Sequence, residues 1–229
     1  MVELCQYVPT IAQIISTSKM LVLHIDSAIT GQNSISRLLS QKVVDRILRL
    51  SPDAVLSYHD LAASPLPPLS AKLLSLRFGG SPEPEDEGNM AMVSDALERF
   101  IGADIVVLGA PMYNFGISSH LKVWLDHLAV AGKTFRYTER GPEGLMRGKK
   151  LIIASVRGGT YAPGGPGASA DFQEPYLRIF FGFLGIDDIS IVRAEGVAIS
   201  DAHKTASLAV ASAAIDGLDV RTPQQLLVN

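Results

Sequence analysis

Short apolar runs alternate with amphipathic stretches along most of the chain. The runs are rich in β-branched residues and end at polar or turn-forming residues, which is typical of strands buried in a parallel sheet. Five strands are predicted in this way, over residues 20–25, 53–58, 104–109, 151–154 and 189–192.

Between these strands, apolar residues recur every three or four positions, as they do on the buried face of a helix. The clearest example follows Ser34, a candidate N-cap. Its apolar stripe is formed by Ile35, Leu38, Leu39, Val43 and Ile47. Further helices are predicted over residues 118–128, 172–184 and 201–215. The last of these is expected to be capped by Asp201 and ended by Gly217.

Residues 61–89 interrupt the pattern. Their prolines and acidic side chains allow at most one short helix, near residues 69–78. Long excursions of this kind in compact domains are usually functional or mobile. Elsewhere, the alternation of five strands with helices predicts an α/β fold with a doubly wound parallel sheet.

The composition fits one globular domain. The chain has 229 residues, of which 47% are hydrophobic and 19% charged, so it can bury a full core and is neither disordered nor fibrous. No run approaches the roughly 18 apolar residues needed to span a membrane. Residues 1–19 lack the features of a targeting segment. They are interpreted as an N-terminal extension or as a translation start placed too early, which leaves a single domain over residues 20–229.

Charge and cysteine content limit the binding partners and metal sites that the chain is expected to have. Twenty Lys and Arg against 23 Asp and Glu give a net charge of −3, and the longest basic block is Lys149-Lys150, so nucleic acid is not expected as a partner. The single cysteine, Cys5, cannot form an intrachain disulfide, and no Cys/His spacing fits a zinc site. His120 and His127 lie seven residues apart without a third ligand. The sequence therefore predicts a cytoplasmic protein without a metal site.

Doubly wound sheets bind ligands beyond the carboxyl ends of their strands, so the loops there are the candidate sites. The loop over residues 26–36 is rich in hydroxyl groups and ends at a helix N-terminus, which attracts anions. It has no Lys and no GxxxxGK[ST] motif, so a monophosphate held by hydroxyls and amides is preferred to a nucleoside triphosphate with magnesium. The alternative is an ordinary N-cap loop.

Two further loops carry unusual residues at strand ends. In residues 110–118, Met112, Tyr113, Asn114 and Phe115 could pack on a flat ring and meet its polar edge, or they could be core or interface residues. Arg157-Gly158-Gly159 lets backbone approach a ligand beside a cation, although paired glycines are also common in turns.

Other sequence motifs do not indicate a further binding or catalytic site. Residues 165–170 match GxGxxA but lie in a Pro/Gly loop, so they are rejected as a dinucleotide fingerprint. The chain has neither HExxH nor GxSxG, and this removes support for zinc and hydrolase chemistry.

Several stretches in a fixed order carry a family resemblance. They are 111–115 (PMYNF), 133–139 (KTFRYTE), 141–145 (GPEGL), Lys149-Lys150, 157–159 (RGG), 183–185 (FLG) and 194–196 (AEG). With them the chain resembles the FMN-dependent NADH-azoreductases, which are flavodoxin-fold NAD(P)H:quinone reductases, from Met20 to the last helix.

The resemblance implies a flavodoxin-like, three-layer fold with strand order 2-1-3-4-5. It also implies a homodimer with one FMN per subunit near the dimer interface. NADH or NADPH would reduce the flavin before the acceptor enters, in a ping-pong cycle. Quinones and the azo bond of aromatic azo compounds are the implied acceptors.

The resemblance also implies roles for individual residues. Ser27, Ser34, Ile35 and Ser36 match positions that hold the FMN phosphate. Two loops match positions that surround the isoalloxazine ring in the family. The first is formed by Pro111, Met112, Tyr113, Asn114 and Phe115, and the second by Arg157, Gly158 and Gly159. Tyr137 matches an aromatic residue that lines the acceptor site, and no side chain is implied as a nucleophile. Val156 departs from the pattern, since many members have a hydroxyl there, and this predicts an altered flavin potential or affinity.

Two other functions remain to be separated from this one. The first is an FMN-binding electron carrier, which is disfavoured because residues 133–148 and 61–89 could roof a substrate cavity that a carrier would leave open. The second is an iron-reducing or chromate-reducing flavoenzyme of the same fold, which the sequence separates poorly.

Overall fold

The computed structural model describes residues 19–77, 79–81 and 83–223. Its strands are β1 (Leu21–Asp26), β2 (Val55–Asp60), β3 (Ile105–Pro111), β4 (Phe135–Thr138), β5 (Gly141–Gly144), β6 (Lys150–Val156) and β7 (Asp188–Ala194). Its α-helices are α1 (Ile35–Leu50), α2 (Ala71–Arg77), α3 (Glu87–Gly102), α4 (Ser119–Leu128), α5 (Glu174–Phe183) and α6 (Asp201–Asp216).

The central sheet has five strands in the order β2-β1-β3-β6-β7, and all neighbouring pairs are parallel. Counted among themselves, these strands have the order 2-1-3-4-5, which confirms the prediction. Strands β4 and β5 form a separate antiparallel hairpin between β3 and β6 in the chain, so they change only the numbering.

Helices cover both faces of the sheet because the central strands are apolar on both sides. Val107 on β3 packs in one core with Val43 of α1 and Ile215 of α6. Its neighbour Val106 faces the opposite core, which contains Trp124 of α4. There the Trp124 ring meets Phe100 of α3 edge-on at 5.8 Å. Alternation along one buried strand therefore produces the three layers.

The predicted helices need one addition and one correction. Helix α3 was not predicted, although Val93, Ala96, Leu97 and Phe100 have helical spacing and are buried. The prolines before it do not break it, because the turn Pro84–Asp86 has a capping box and leads directly into the helix. Helix α6 is capped by Ser200 and not by Asp201, since the Ser200 hydroxyl accepts from the amide of His203 at 3.2 Å. The predicted cap of α1, Ser34, is confirmed.

The β4–β5 hairpin is fixed by a close contact between two glycines. A Cβ atom on Gly144 would lie 2.2 Å from the backbone nitrogen of Gly185, which follows α5. Next to this contact, the amide of Met146 donates to the Leu184 carbonyl at 2.8 Å. Residues 141–145 and 183–185, two of the stretches that carry the family resemblance, therefore pack against each other.

Some predictions fall outside the described residues. The N-terminal extension over residues 1–19 does so except for Lys19, and the end of the predicted single domain does so beyond residue 223. Among the helices of the described chain, none has the length and apolar character to cross a membrane. Within residues 19–77, 79–81 and 83–223, no group of three or more His, Cys, Asp or Glu could hold a metal ion.

Replacement of Gly144 by Ala is expected to destabilise the protein by about 3 kcal/mol, because the new methyl group would meet backbone that cannot move aside. Gly182→Ala is the matched control, since a Cβ there meets nothing within 4 Å and lies in helix α5. It should be neutral or stabilise by up to about 1 kcal/mol. Urea unfolding followed by the fluorescence of Trp124, the single tryptophan, measures both. Equal stability of the two variants would contradict the packing argument.

Candidate functional site

Three loops meet at the carboxyl edge of the sheet, because β1, β3 and β6 are adjacent and parallel. The hydroxyl of Ser27, after β1, donates to the carbonyl of Gly109 on β3 at 2.8 Å. The amide of Ile29 donates to the hydroxyl of Tyr113 at 3.2 Å. Between β3 and β6, the amide of Met112 donates to the Val156 carbonyl at 2.8 Å. The structure therefore joins the three candidate loops into one surface.

The β1–α1 loop gathers serine hydroxyls at a helix N-terminus. Ser27, Ser34 and Ser36 are buried, and the hydroxyls of Ser34 and Ser36 lie 2.9 Å apart. Ser34 also caps the helix by accepting from the amide of Arg37 at 3.4 Å. Amides in the first turn of a helix have no acceptor within the helix and carry its positive dipole end. Hydroxyls and amides therefore lie together at this helix start, where the sequence predicts an anion site.

A buried carboxylate lies directly behind this loop. The Asp26 side chain accepts from the hydroxyls of Ser40 at 2.8 Å and Tyr58 at 3.1 Å. Burial raises the pKa of Asp26, but the nearby His24 ring and these two hydrogen bonds outweigh it and hold the pKa below its usual range. Burial and the Asp26 carboxylate raise the pKa of Tyr58 to about 12. Gly109 makes room for this group, since a Cβ there would lie 2.3 Å from a carboxylate oxygen of Asp26.

The β3–α4 loop makes a tight turn in an unusual backbone conformation. Tyr113 and Gly116 exchange hydrogen bonds of 2.9 and 3.0 Å, and between them Asn114 and Phe115 have φ angles of 47° and 73°. Positive φ is acceptable for Asn but strained for a bulky residue, and such strain is concentrated at ligand sites. The Phe115 side chain is 51% exposed. The turn thus presents an amide and an aromatic ring at the edge of the sheet.

The β6 loop differs from its sequence interpretation in one respect. The Arg157 side chain is buried, and its guanidinium contacts the carboxylates of Asp171 at 2.9 Å, Glu174 at 2.5 Å and Glu195 at 2.9 Å. It is therefore not a free cation beside the glycines. The carbonyl of Gly159 accepts from the amide of Gly196 at 2.9 Å, so this loop is fixed on its inner side. What it can offer a ligand here is backbone.

Sequence reasoning missed an aromatic residue in the same place. Tyr161 packs against Gly159 and Gly167, where a Cβ atom would lie within 3.2 Å and 2.9 Å of its ring. The ring meets Phe115 edge-on at a centroid distance of 6.3 Å. The glycines around Tyr161 are the signal that could have identified it.

Tyr137 lies apart from these loops within the chain. It is on β4 and 76% exposed, and its ring contact is with Phe135 on the same strand at 5.3 Å. The described part of one chain therefore brings together the predicted residues of the three loops but leaves Tyr137 outside them.

Comparisons with known proteins agree with this fold. A family profile described as a flavodoxin-like fold matches residues 20–218. The chain belongs to the flavodoxin-like family.

Relatives of this flavodoxin-like protein have informative names. The FMN-dependent NADH:quinone oxidoreductase 1 of Xanthomonas axonopodis pv. citri (strain 306) is 50% identical over 196 residues, which cover 86% of this chain and 95% of that protein. The FMN-dependent NADH:quinone oxidoreductase of Methylocella silvestris is 48% identical over 198 residues, which cover 86% and 97%. An FMN-dependent NADH-azoreductase from Bacillus anthracis str. Ames Ancestor, in complex with FMN, superposes with a TM-score of 0.79 at 27% identity and covers 86% and 96%.

In this flavodoxin-like protein, residues of the resembling stretches contact one another. Arg157 of the RGG stretch pairs with Glu195 of the AEG stretch. Lys149 donates to the carbonyls of Ile101 and Ala103 at the end of α3, at 2.6 and 2.5 Å, and Lys150 pairs with Asp188 at 2.7 Å. These charged residues therefore hold elements around the site in place.

Replacement of Arg157 by Met is expected to destabilise the ligand-free protein by about 3 to 5 kcal/mol, because it leaves three largely buried carboxylates without their shared cation. Glu195→Gln keeps an acceptor for Arg157 and for the amide of Tyr161, so it should change the stability by about 1 kcal/mol or less. Urea unfolding of the flavin-free protein distinguishes the two. If Arg157 were instead a ligand-binding cation, Arg157→Met would leave that stability unchanged.

Proposed function

We propose that the protein is an FMN-dependent NAD(P)H oxidoreductase that transfers two electrons, by a ping-pong mechanism, from NADH to quinones and to the azo bond of aromatic azo compounds. The single observation that carries this proposal is that hydrogen bonds join three loops into one surface. The loops are a serine-rich helix N-terminus, an aromatic turn and a glycine loop. Relatives at about half identity over most of the chain are named FMN-dependent NADH:quinone oxidoreductases.

The residues present fit an FMN molecule. Its phosphate suits the hydroxyls of Ser34 and Ser36 and the first-turn amides of α1, since these groups lie together at one helix N-terminus, whereas the Ser27 hydroxyl donates to the Gly109 carbonyl. Its ring suits the turn of Asn114 and Phe115, because their backbone conformation directs them outward from the strand end. At Gly158 and Gly159, the space of a side chain is filled by Ala198 and the Tyr161 ring, and both carbonyls accept from amides of the chain, so these residues would offer the ring edge their backbone amides.

We assign the binding roles accordingly. Ser27, Ser34, Ile35 and Ser36 would hold the phosphate, through hydroxyls or amides. Pro111, Met112, Tyr113, Asn114 and Phe115 would hold one edge of the ring, with Arg157, Gly158 and Gly159 contributing backbone at the other. Tyr137 would line the acceptor site. When bound, FMN would supply the two-electron redox chemistry, and the protein's part is to orient the reactants and exclude water.

A shared site for donor and acceptor explains why the proposed order is ping-pong. The Phe115 and Tyr161 rings border the candidate ring site on one side. A flat nicotinamide and a flat quinone or azo compound would occupy the same stacking surface, so the first must leave before the second enters. NADPH is the alternative donor, and iron or chromate are the alternative acceptors for a flavoenzyme of this fold.

We further propose that the protein acts as a cytoplasmic homodimer. Phe115 and Phe172 are 51% and 65% exposed at the candidate site, and the amide of Phe172 donates to the Phe115 carbonyl at 3.0 Å. Adjacent exposed aromatic rings are typical of interfaces. Light scattering during gel filtration measures the mass in solution, and a mass of one chain at micromolar concentration would contradict the dimer.

The first test is an absorbance spectrum of the purified protein, supplied with FMN if it is colourless. Anaerobic NADH should bleach the flavin bands, and benzoquinone should restore them. An azo dye as second acceptor should lose its colour at the same site. Flavin that binds but is not bleached by NADH or NADPH would indicate an electron carrier, and failure to bind FMN would contradict the proposal as a whole.

The second test concerns Asn114. Asn114→Gly tolerates the φ angle of 47° and removes only the side-chain amide, whereas Asn114→Ala also strains the turn. We expect Asn114→Gly to weaken FMN binding by about tenfold and Asn114→Ala to weaken it further. Quenching of flavin fluorescence measures both dissociation constants. Unchanged affinity in Asn114→Gly would remove the Asn114 side chain from the ring-binding set.

A further inference from the structure

Arg37 lies behind the candidate phosphate loop and bonds to three separate elements. On α1, its own amide donates to the hydroxyl of the cap residue Ser34 at 3.4 Å. Its guanidinium donates to both carboxylate oxygens of Asp60, at the end of β2, with two distances of 2.7 Å. It also donates to the hydroxyl of Tyr58 on β2 at 3.0 Å and to the carbonyl of Ala28 in the loop at 2.9 Å. One side chain therefore ties the loop to the strand beside it.

Two carboxylates lie beside this guanidinium. Asp26 lies 3.7 Å from Arg37, and the side chains of Arg37, Asp26 and Asp60 are 10%, 4% and 20% exposed. The hydrogen bond from Arg37 is the largest cause that holds the pKa of Asp60 below its usual range, so Asp60 is ionised at neutral pH. Arg37, Asp26 and Asp60 together carry a net charge of −1 beside a loop that is proposed to receive an anion, and the His24 ring on β1 lies 3.6 Å from Asp26.

The position of Asp60 is also fixed independently of Arg37. One of its oxygens accepts from the amides of Ala62 at 3.0 Å and Ala63 at 3.2 Å. Without Arg37, both carboxylates would stay where they are, and their full charge would act on the first turn of α1. The same loss would release the carbonyl of Ala28 and with it the middle of the loop.

We propose that Arg37 is the positioning residue that makes the β1–α1 loop selective for a phosphate monoester, by neutralising the carboxylates behind the loop and holding the Ala28 carbonyl. This inference rests on the proposed function, because it takes the FMN phosphate as the ligand of the loop. Arg37 acts through the loop and the two carboxylates, so its effect should depend on the charge of the ligand's phosphate end.

The test compares FMN with riboflavin, which has the same ring and lacks the phosphate. For flavin-free protein, quenching of flavin fluorescence gives both dissociation constants. The wild-type protein should prefer FMN. Arg37→Met should weaken FMN binding by about tenfold, the effect expected of one charge at a partly buried helix N-terminus, and should change riboflavin binding by less than about twofold.

Two further variants separate charge from folding. Arg46→Met is the matched control, since Arg46 lies on the same helix, is half-buried and donates to a backbone carbonyl, that of Leu218, at 2.8 Å. It should leave both affinities unchanged. Arg37→Met combined with Asp60→Asn should recover part of the FMN affinity, because the amide removes one unpaired charge and keeps an acceptor for the amides of Ala62 and Ala63.

The outcomes distinguish this inference from the proposed function. Equal loss of FMN and riboflavin affinity in Arg37→Met would overturn the inference, since Arg37 would then only support the fold. Failure of the double variant to bind FMN better than Arg37→Met would overturn it as well. If the wild-type protein binds FMN and riboflavin equally, the phosphate position in the proposed function fails together with the inference. If the wild-type protein strongly prefers FMN to riboflavin and Arg37→Met keeps that preference, the inference is overturned but the proposed function is not.

Discussion

The parallel pairing of β3 with both β1 and β6 is the constraint on which the candidate site depends. Parallel neighbours end at the same edge, so loops that are about 80 residues apart in the chain, such as those of Ser27 and Gly109, come into hydrogen-bond contact. This pairing is possible because the central strands are buried on both faces and carry apolar residues throughout. The helices that cover the faces leave the carboxyl edge to the loops.

At this edge, two arginines are paired with carboxylates of the chain, and one of them, Arg157, is fully buried. Arg37 faces Asp26 and Asp60, and Arg157 faces three carboxylates. Both cations are used to hold loops in place. In the proposed site, recognition of a phosphate would therefore be left to serine hydroxyls and helix amides, which are neutral donors with fixed directions. Such donors need a rigid loop, since they have none of the long-range attraction of a free cation.

Much of the fold could be predicted from the sequence because strand signals are local. All five strands of the sheet were predicted within two residues at every boundary, since β-branched runs are recognisable without knowledge of their neighbours. Helix α3 was missed because the prolines before it were interpreted as extending an irregular segment to Asn89. The β4–β5 hairpin was also missed. It is stabilised by the contact of Gly144 with Gly185, and such a contact leaves no periodic pattern in the chain.

The sequence by itself determined the order of strands and helices, the serine-rich helix start and the unusual residues at three strand ends, because each of these is a property of neighbouring residues. Only the tertiary structure decided what each charged side chain does. Arg157 was interpreted as a cation beside a ligand, but it is buried against Glu195, which is 38 residues further along the chain. Burial of a charge requires a partner, and the fold alone determines which partner is within reach.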